Sequence, residues 1–149
     1  MTGRNIIIFI VVFILLILSR LFTDIPNFTS TISIIIFLSY FIRNIAFSSV
    51  IVLSSQIFTD IFFGFYNSIL FVYGSYILIC LFSTLTLKSL NNRLIFIASI
   101  AGPTIFYIVS NFGVWLLDNI YTRDLNGLVD CYIAGIPFYK SSMISTIKG

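Results

Sequence analysis

The sequence predicts an all-α polytopic membrane protein, a six-helix bundle filling one domain over residues 1–149. Three observations predict it. First, 59% of the 149 residues are hydrophobic, only 9% are charged and the mean hydropathy is +1.11, whereas a soluble domain carries about 25% charged residues. Second, uncharged stretches recur at close to the roughly 20 residues that a helix needs to cross the hydrocarbon core. Third, the cations alternate between the ends of those stretches in a way that six helices rationalise and five do not.

The first helix is expected over 5–22. Arg4 precedes the apolar run Ile6 to Leu18, which looks like a signal peptide, but Ser19-Arg20-Leu21-Phe22 offers no small-residue cleavage site, so the segment reads as a first span. Arg20 and Asp24 are four apart and can pair along one face, as an interfacial anchor or beside a ligand. Pro26 then stops the helix, and Asn27 and Thr29 can cap the next.

Residues 29 to 58 as one helix would leave Arg43 and Asn44 at mid-membrane, which is costly without a partner. Two short helices, 29–42 and 45–58, with a turn at Arg43-Asn44 avoid that cost. Gln56 and Asp60 share a face at the end of the third helix, and Thr59 to Asn67 reads as an aromatic interfacial loop. The fourth helix is expected over 68–87. The fifth, over 94–117, carries Ala98, Ala101 and Gly102 for close packing and Pro103 for a kink. It also carries Asn111, Trp115 and Asp118 at i, i+4 and i+7 on one stripe, which suits either a ligand pocket or three unrelated structural tasks. The sixth, over 125–146, holds Asp130, which needs a cation from elsewhere, and Arg20 and Arg123 are the available ones.

This count places Arg4, Arg43, Lys88, Arg93, Lys140 and Lys148 on one side and Arg20 and Arg123 on the other, so the positive-inside rule puts both termini in the cytoplasm. All five acidic residues are Asp, and they fall in or near the opposite segments.

Composition also limits function. Eight singly scattered Lys and Arg cannot track a phosphate backbone, so no nucleic-acid partner is expected. The absence of His removes His-based acid–base chemistry and makes a zinc or haem site unexpected. Cys80 and Cys131 read as buried hydrophobes. There is no phosphate loop and no serine-nucleophile motif, so no enzyme and no cofactor are expected. Two functional readings follow: a transport component with an outward pocket for a small neutral or cationic solute, or a non-catalytic accessory subunit of a larger membrane complex.

Several segments carry a family resemblance: Pro26-Asn27-Phe28-Thr29, then Gln56-Ile57-Phe58-Thr59-Asp60-Ile61-Phe62-Phe63-Gly64-Phe65, then Ser110-Asn111-Phe112-Gly113-Val114-Trp115, and finally Cys131-Tyr132-Ile133-Ala134-Gly135-Ile136-Pro137-Phe138. Together they resemble an uncharacterised family of small bacterial inner-membrane proteins. That family is similar in layout to the S components of energy-coupling factor (ECF) transporters. The resemblance implies an outward pocket built from the outer parts of helices 4 to 6 and the loop after helix 1. On this sequence that implies Asn27, Tyr73, Asn111, Trp115, Asp118 and Asp130, beside Asp60 from the residue reading. The partners implied are the lipid bilayer, a small solute and a transporter module or other membrane subunit. Helix 1 has no small residue between Ile6 and Leu18, unlike the alanine-rich docking face of S components.

Overall fold

The structure is a computed structural model that describes residues 3–22, 30–89 and 91–148. Among the described residues six helices follow one another: α1 Gly3–Leu21, α2 Thr31–Ile42, α3 Ile45–Phe63, α4 Ile69–Thr86, α5 Asn92–Leu117 and α6 Leu125–Lys148. The described residues contain no strand.

The expected hairpin is present. Arg43 closes α2 in the left-handed region, with φ 51° and ψ 26°, and its N–H donates to the Ser39 carbonyl at 3.2 Å. Asn44 opens α3 by accepting from the Phe47 N–H at 3.0 Å, the usual work of an Asn cap. The third helix differs from its expected bounds. It runs on through Asp60 to Phe63 because Gln56, Thr59 and Asp60, which read as a boundary, find partners inside the bundle. It ends at Gly64, whose φ of 95° favours glycine and whose N–H donates to the Asp60 carbonyl at 2.8 Å. The loop to α4 is correspondingly shorter than the sequence suggests. Helix α5 continues unbroken through the buried Pro103. Among the described residues, α3, α4 and α5 are long and apolar enough to cross a membrane, while residues 6–21 of α1 and the whole of α2 are shorter apolar helices. Phe62, Leu70, Phe96, Ile108 and Val129 lie exposed on the outside, an apolar exterior suited to lipid.

Helices α1, α3, α4, α5 and α6 pack in that order, each against the next, and α2 touches all five. The depth of α2 decides what the bundle can hold. Twelve residues make a helix of about 18 Å. Its first turn lies beside the middle of α4 and α5, because a Cβ built on Gly102 would meet Ile32 at 2.7 Å, Ile36 at 3.6 Å and Ile79 at 3.7 Å. Its side chains also reach the far end of α6, where the Ser33 hydroxyl donates to the Thr146 carbonyl at 3.1 Å. Thus α2 covers only the half of the bundle that holds the end of α4, the start of α5 and the end of α6.

Candidate functional site

The opposite half has no such cover, and a cavity lies there. Its volume is about 250 Å³, roughly the liquid volume of eight waters at about 30 Å³ each. The stripe of α5 that faces α2 runs through Ile95, Ser99 and Gly102 and continues at helical spacing into Phe106 and Ser110, which line the cavity. On α4 the same stripe runs from Ile79 back through Tyr76, whose ring lies tilted against Phe106 with centroids 5.4 Å apart, to Val72 on the cavity wall. Asn111 and Val114 complete the α5 wall, Cys131, Ala134, Gly135 and Phe138 the α6 wall, and Tyr66, Ser68 and Tyr121 the loop end.

Gly135 explains how Asn111 fits. A Cβ on Gly135 would lie 2.5 Å from Asn111 Oδ1, so the glycine makes room for the amide where it stands and a larger residue would displace it. Asn111 Nδ2 donates to the Tyr107 carbonyl of its own helix at 2.8 Å, and the Cys131 thiol donates to the Asn111 carbonyl at 3.3 Å. The cavity lining among the described residues contains hydroxyls and an amide but no charged side chain.

Beside the cavity stands a buried ion pair. Asp60 is 1% exposed and accepts from Arg20 Nη2 at 2.5 Å and from the Tyr73 hydroxyl at 2.6 Å. Arg20 Nη1 donates to Thr59 Oγ1 at 2.6 Å and to Gln56 Oε1 at 2.8 Å. The Arg20 head also lies over the Phe63 ring, 5.6 Å from its centroid, a cation–π contact. One network therefore ties α1, α3 and α4 together. Tyr66 stands between it and the cavity, where desolvation and then the Asp60 carboxylate push its hydroxyl up to about 12.

The residues expected at a site are therefore divided. Asn111 lines the cavity. Asp118 stands at its rim, where Oδ2 accepts from the Ser68 hydroxyl at 2.9 Å. Trp115 shares the stripe but serves the connection to α6: its indole N–H donates to the Thr122 carbonyl at 3.0 Å, and its ring packs on Phe112. Asp60 and Tyr73 belong to the ion-pair network. Asp130 is exposed on α6. The expectation that Arg20 or Arg123 neutralises it is corrected, since Arg20 is held by Asp60 and Arg123 Nη2 donates to Asn119 Oδ1 at 3.3 Å. Asn27 and Asp24 lie outside the described residues, and so does the expected Arg20–Asp24 pair. The sequence reading missed Ser110, Tyr66 and Tyr121 as wall residues. Spacing alone offered a signal for Ser110, which continues the Gly102 stripe of α5.

Across residues 1–148 the chain matches the profile of a family described as a family of unknown function, DUF6580. No curated protein and no solved structure matches it.

Proposed function

The chain belongs to the DUF6580 family, and we propose that it acts in a bacterial inner membrane as a multi-pass, substrate-binding component of transport. It would hold a small solute in the cavity between α4, α5 and α6. The observation that carries this reading is the cavity itself: the half-length α2 leaves room at one end of the bundle, and Ser68, Ser110, Asn111, Tyr66 and Tyr121 line that space. Apolar walls with a few placed hydroxyls and one amide are the usual composition of a small-molecule site. With no charge on the lining and Asp118 at the rim, the favoured solute is neutral, and a cation is tolerated better than an anion.

The distribution of cations supports an outward-facing cavity. The far end of the bundle carries Arg43, Lys88, Arg93 and Lys148, while the cavity end carries Arg20 and Arg123; on the positive-inside rule the former is cytoplasmic, with both termini. The layout likeness to S components is part of the proposal, on the strength of six helices and a pocket built from α4 to α6, and it is an analogy of fold. A side chain filling the cavity tests the reading. Small molecules co-purifying with the wild-type protein from its native membrane should be lost from Ser110→Leu and Ala134→Phe. The same molecules recovered in equal amount from correctly folded variants would sink it.

One observation favours the accessory-subunit reading instead. Asn126, Asp130 and Lys140 are exposed on α6, and charged groups facing lipid are expensive. A partner helix covering them would lower that cost. Asp130→Asn with Lys140→Gln should then shrink the native complex extracted in mild detergent, with solute retention unchanged.

A further inference from the structure

We propose that the end of the bundle opposite the solute cavity carries a binding site for an anionic phospholipid. A groove of about 480 Å³ runs there between α2, the start of α5 and the end of α6. Phe37, Phe41, Leu87, Ile95 and Ile147 form half of its walls, and Ile36 adds a further apolar side chain. Three of its four hydroxyls are engaged within the protein, Ser33 with the Thr146 carbonyl at 3.1 Å, Ser99 with the Ile95 carbonyl at 2.9 Å and Thr146 with the Ser142 carbonyl at 2.7 Å, and Tyr40 adds the fourth at the wall. With Ile36, Phe37, Phe41, Leu87, Ile95 and Ile147 on its walls, the groove is a largely apolar trough suited to an acyl chain.

Charge at the rim selects the headgroup. Arg43 lies two residues beyond Phe41, Lys88 next to Leu87, Arg93 two before Ile95 and Lys148 next to Ile147, and all four are exposed. Consecutive Cα atoms are about 3.8 Å apart, so each cation stands within about 8 Å of a wall residue along the chain. No described acid opposes them. Asp60, Asp118 and Asp124 lie at the other end of the bundle, and Asp130 is in the second turn of α6, remote from Ile147. An unbalanced cationic rim above an apolar trough matches a phosphodiester headgroup that brings no cation of its own, as in phosphatidylglycerol. A choline headgroup carries its own positive charge and gains less. This site is independent of the solute reading, since it shares no residue with the cavity and does not depend on which side is cytoplasmic.

The test uses the full-length protein, delipidated in a neutral detergent and offered equimolar phosphatidylglycerol and phosphatidylcholine with identical acyl chains. Native mass spectrometry counts the retained lipid. The expected result is a preference for phosphatidylglycerol that falls by about 30-fold in the Lys88→Gln/Arg93→Gln double variant, the scale set by two lost cations at an anionic headgroup. Ser99→Phe, which fills the groove without removing a bond between helices, should lower retention of both lipids. Phe37→Ser, at an exposed wall position, replaces it if that variant unfolds. Arg123→Gln, at the other end, should leave the preference unchanged. Equal retention of the two lipids by the wild type would overturn the proposal. So would a preference unmoved by the double variant or abolished by Arg123→Gln.

Discussion

Replacing Arg20 by Met should destabilise the bundle more than any other single loss of a surface-reaching charge. Asp60 is 1% exposed, against 22% for the Arg20 side chain. Without the guanidinium, the Asp60 carboxylate keeps only the Tyr73 hydroxyl among these partners, and Gln56 Oε1 loses its donor. Removing one partner of a buried pair costs about 3–5 kcal/mol. Because Arg20 is partly solvated in place, the lower end, about 3 kcal/mol, is expected. Asp60→Asn should be milder. Arg20 would retain Thr59 and Gln56 and its path to water, leaving roughly one charge-assisted hydrogen bond lost, about 1.5 kcal/mol. In the double variant neither charge is buried, so its cost should fall below the sum of the two by about 2 kcal/mol, the coupling between contacting partners. Reversible unfolding in mixed micelles, followed by circular dichroism across all four proteins, measures the cycle. Additivity within about 0.5 kcal/mol would show that the two residues do not interact as described.

The glycines give a graded series under the same assay. Gly74→Ala should be tolerated, because nothing lies within 4 Å of its Cβ. Gly135→Ala should cost about 1–3 kcal/mol by overpacking against the movable Asn111 amide, and Gly127→Ala more, because its Cβ meets the immobile backbone of Thr122. Trp115→Phe should lose about 1 kcal/mol with its bond to the Thr122 carbonyl and leave solute retention unchanged, whereas Asn111→Ala should lower retention. Asp124 accepts from the Gly127 N–H and the Thr122 hydroxyl, each at 2.8 Å, and the first of these chiefly holds its carboxyl below the ordinary range. Its contribution to stability is therefore present above the unfolded carboxyl value near about 4 and fades as pH falls through the lower folded value. Asp124→Asn should flatten that part of the unfolding profile. In whole cells, with Cys80 and Cys131 replaced by Ser, a cysteine at Asn67 should react with an impermeant reagent and one at Asn91 should not; the opposite pattern reverses the orientation.

Much of the helix order was legible because charge and turn chemistry are local. Arg43-Asn44 announced the α2–α3 hairpin by its cost in lipid, and a left-handed Arg followed by an Asn cap is what stands there. The end of α3 was not legible for the opposite reason. Thr59 and Asp60 look like a boundary until the Arg20 head, 40 residues away in sequence, takes the carboxylate inside. Helical periodicity correctly gave Asn111, Trp115 and Asp118 a common stripe. It could not give their partners, because at the end of a helix a single stripe meets a neighbouring helix at Asn111 and loop backbone at Trp115. The depth of α2 was equally hidden: composition gave its length, and only Gly102 fixed the level at which it starts.

That depth accounts for both hollows of the molecule. A sixth helix as long as α5 would cover the inner stripe of α4 and α5 from Leu87 and Ile95 to Val72 and Ser110. Helix α2 begins beside Gly102, so its two ends meet different surroundings. Along its flank, Phe37 and Phe41 lean over Leu87 and Ile95 without filling the space to α6, which leaves an apolar groove at the cationic end. Beyond its first turn, the stripe that would have met aliphatic side chains carries Ser110 and borders Asn111 and Tyr66 instead. Polar groups persist in such a position only where they find partners or water. Their presence on the stretch that α2 leaves uncovered, and the Ile32–Gly102–Ile79 contact on the stretch it covers, are two consequences of one length. The Arg20–Asp60 network belongs to the same design. With α2 absent from that half, α1 lacks its second neighbour there, and an ion pair joined to Thr59, Gln56 and Tyr73 holds it to α3 and α4.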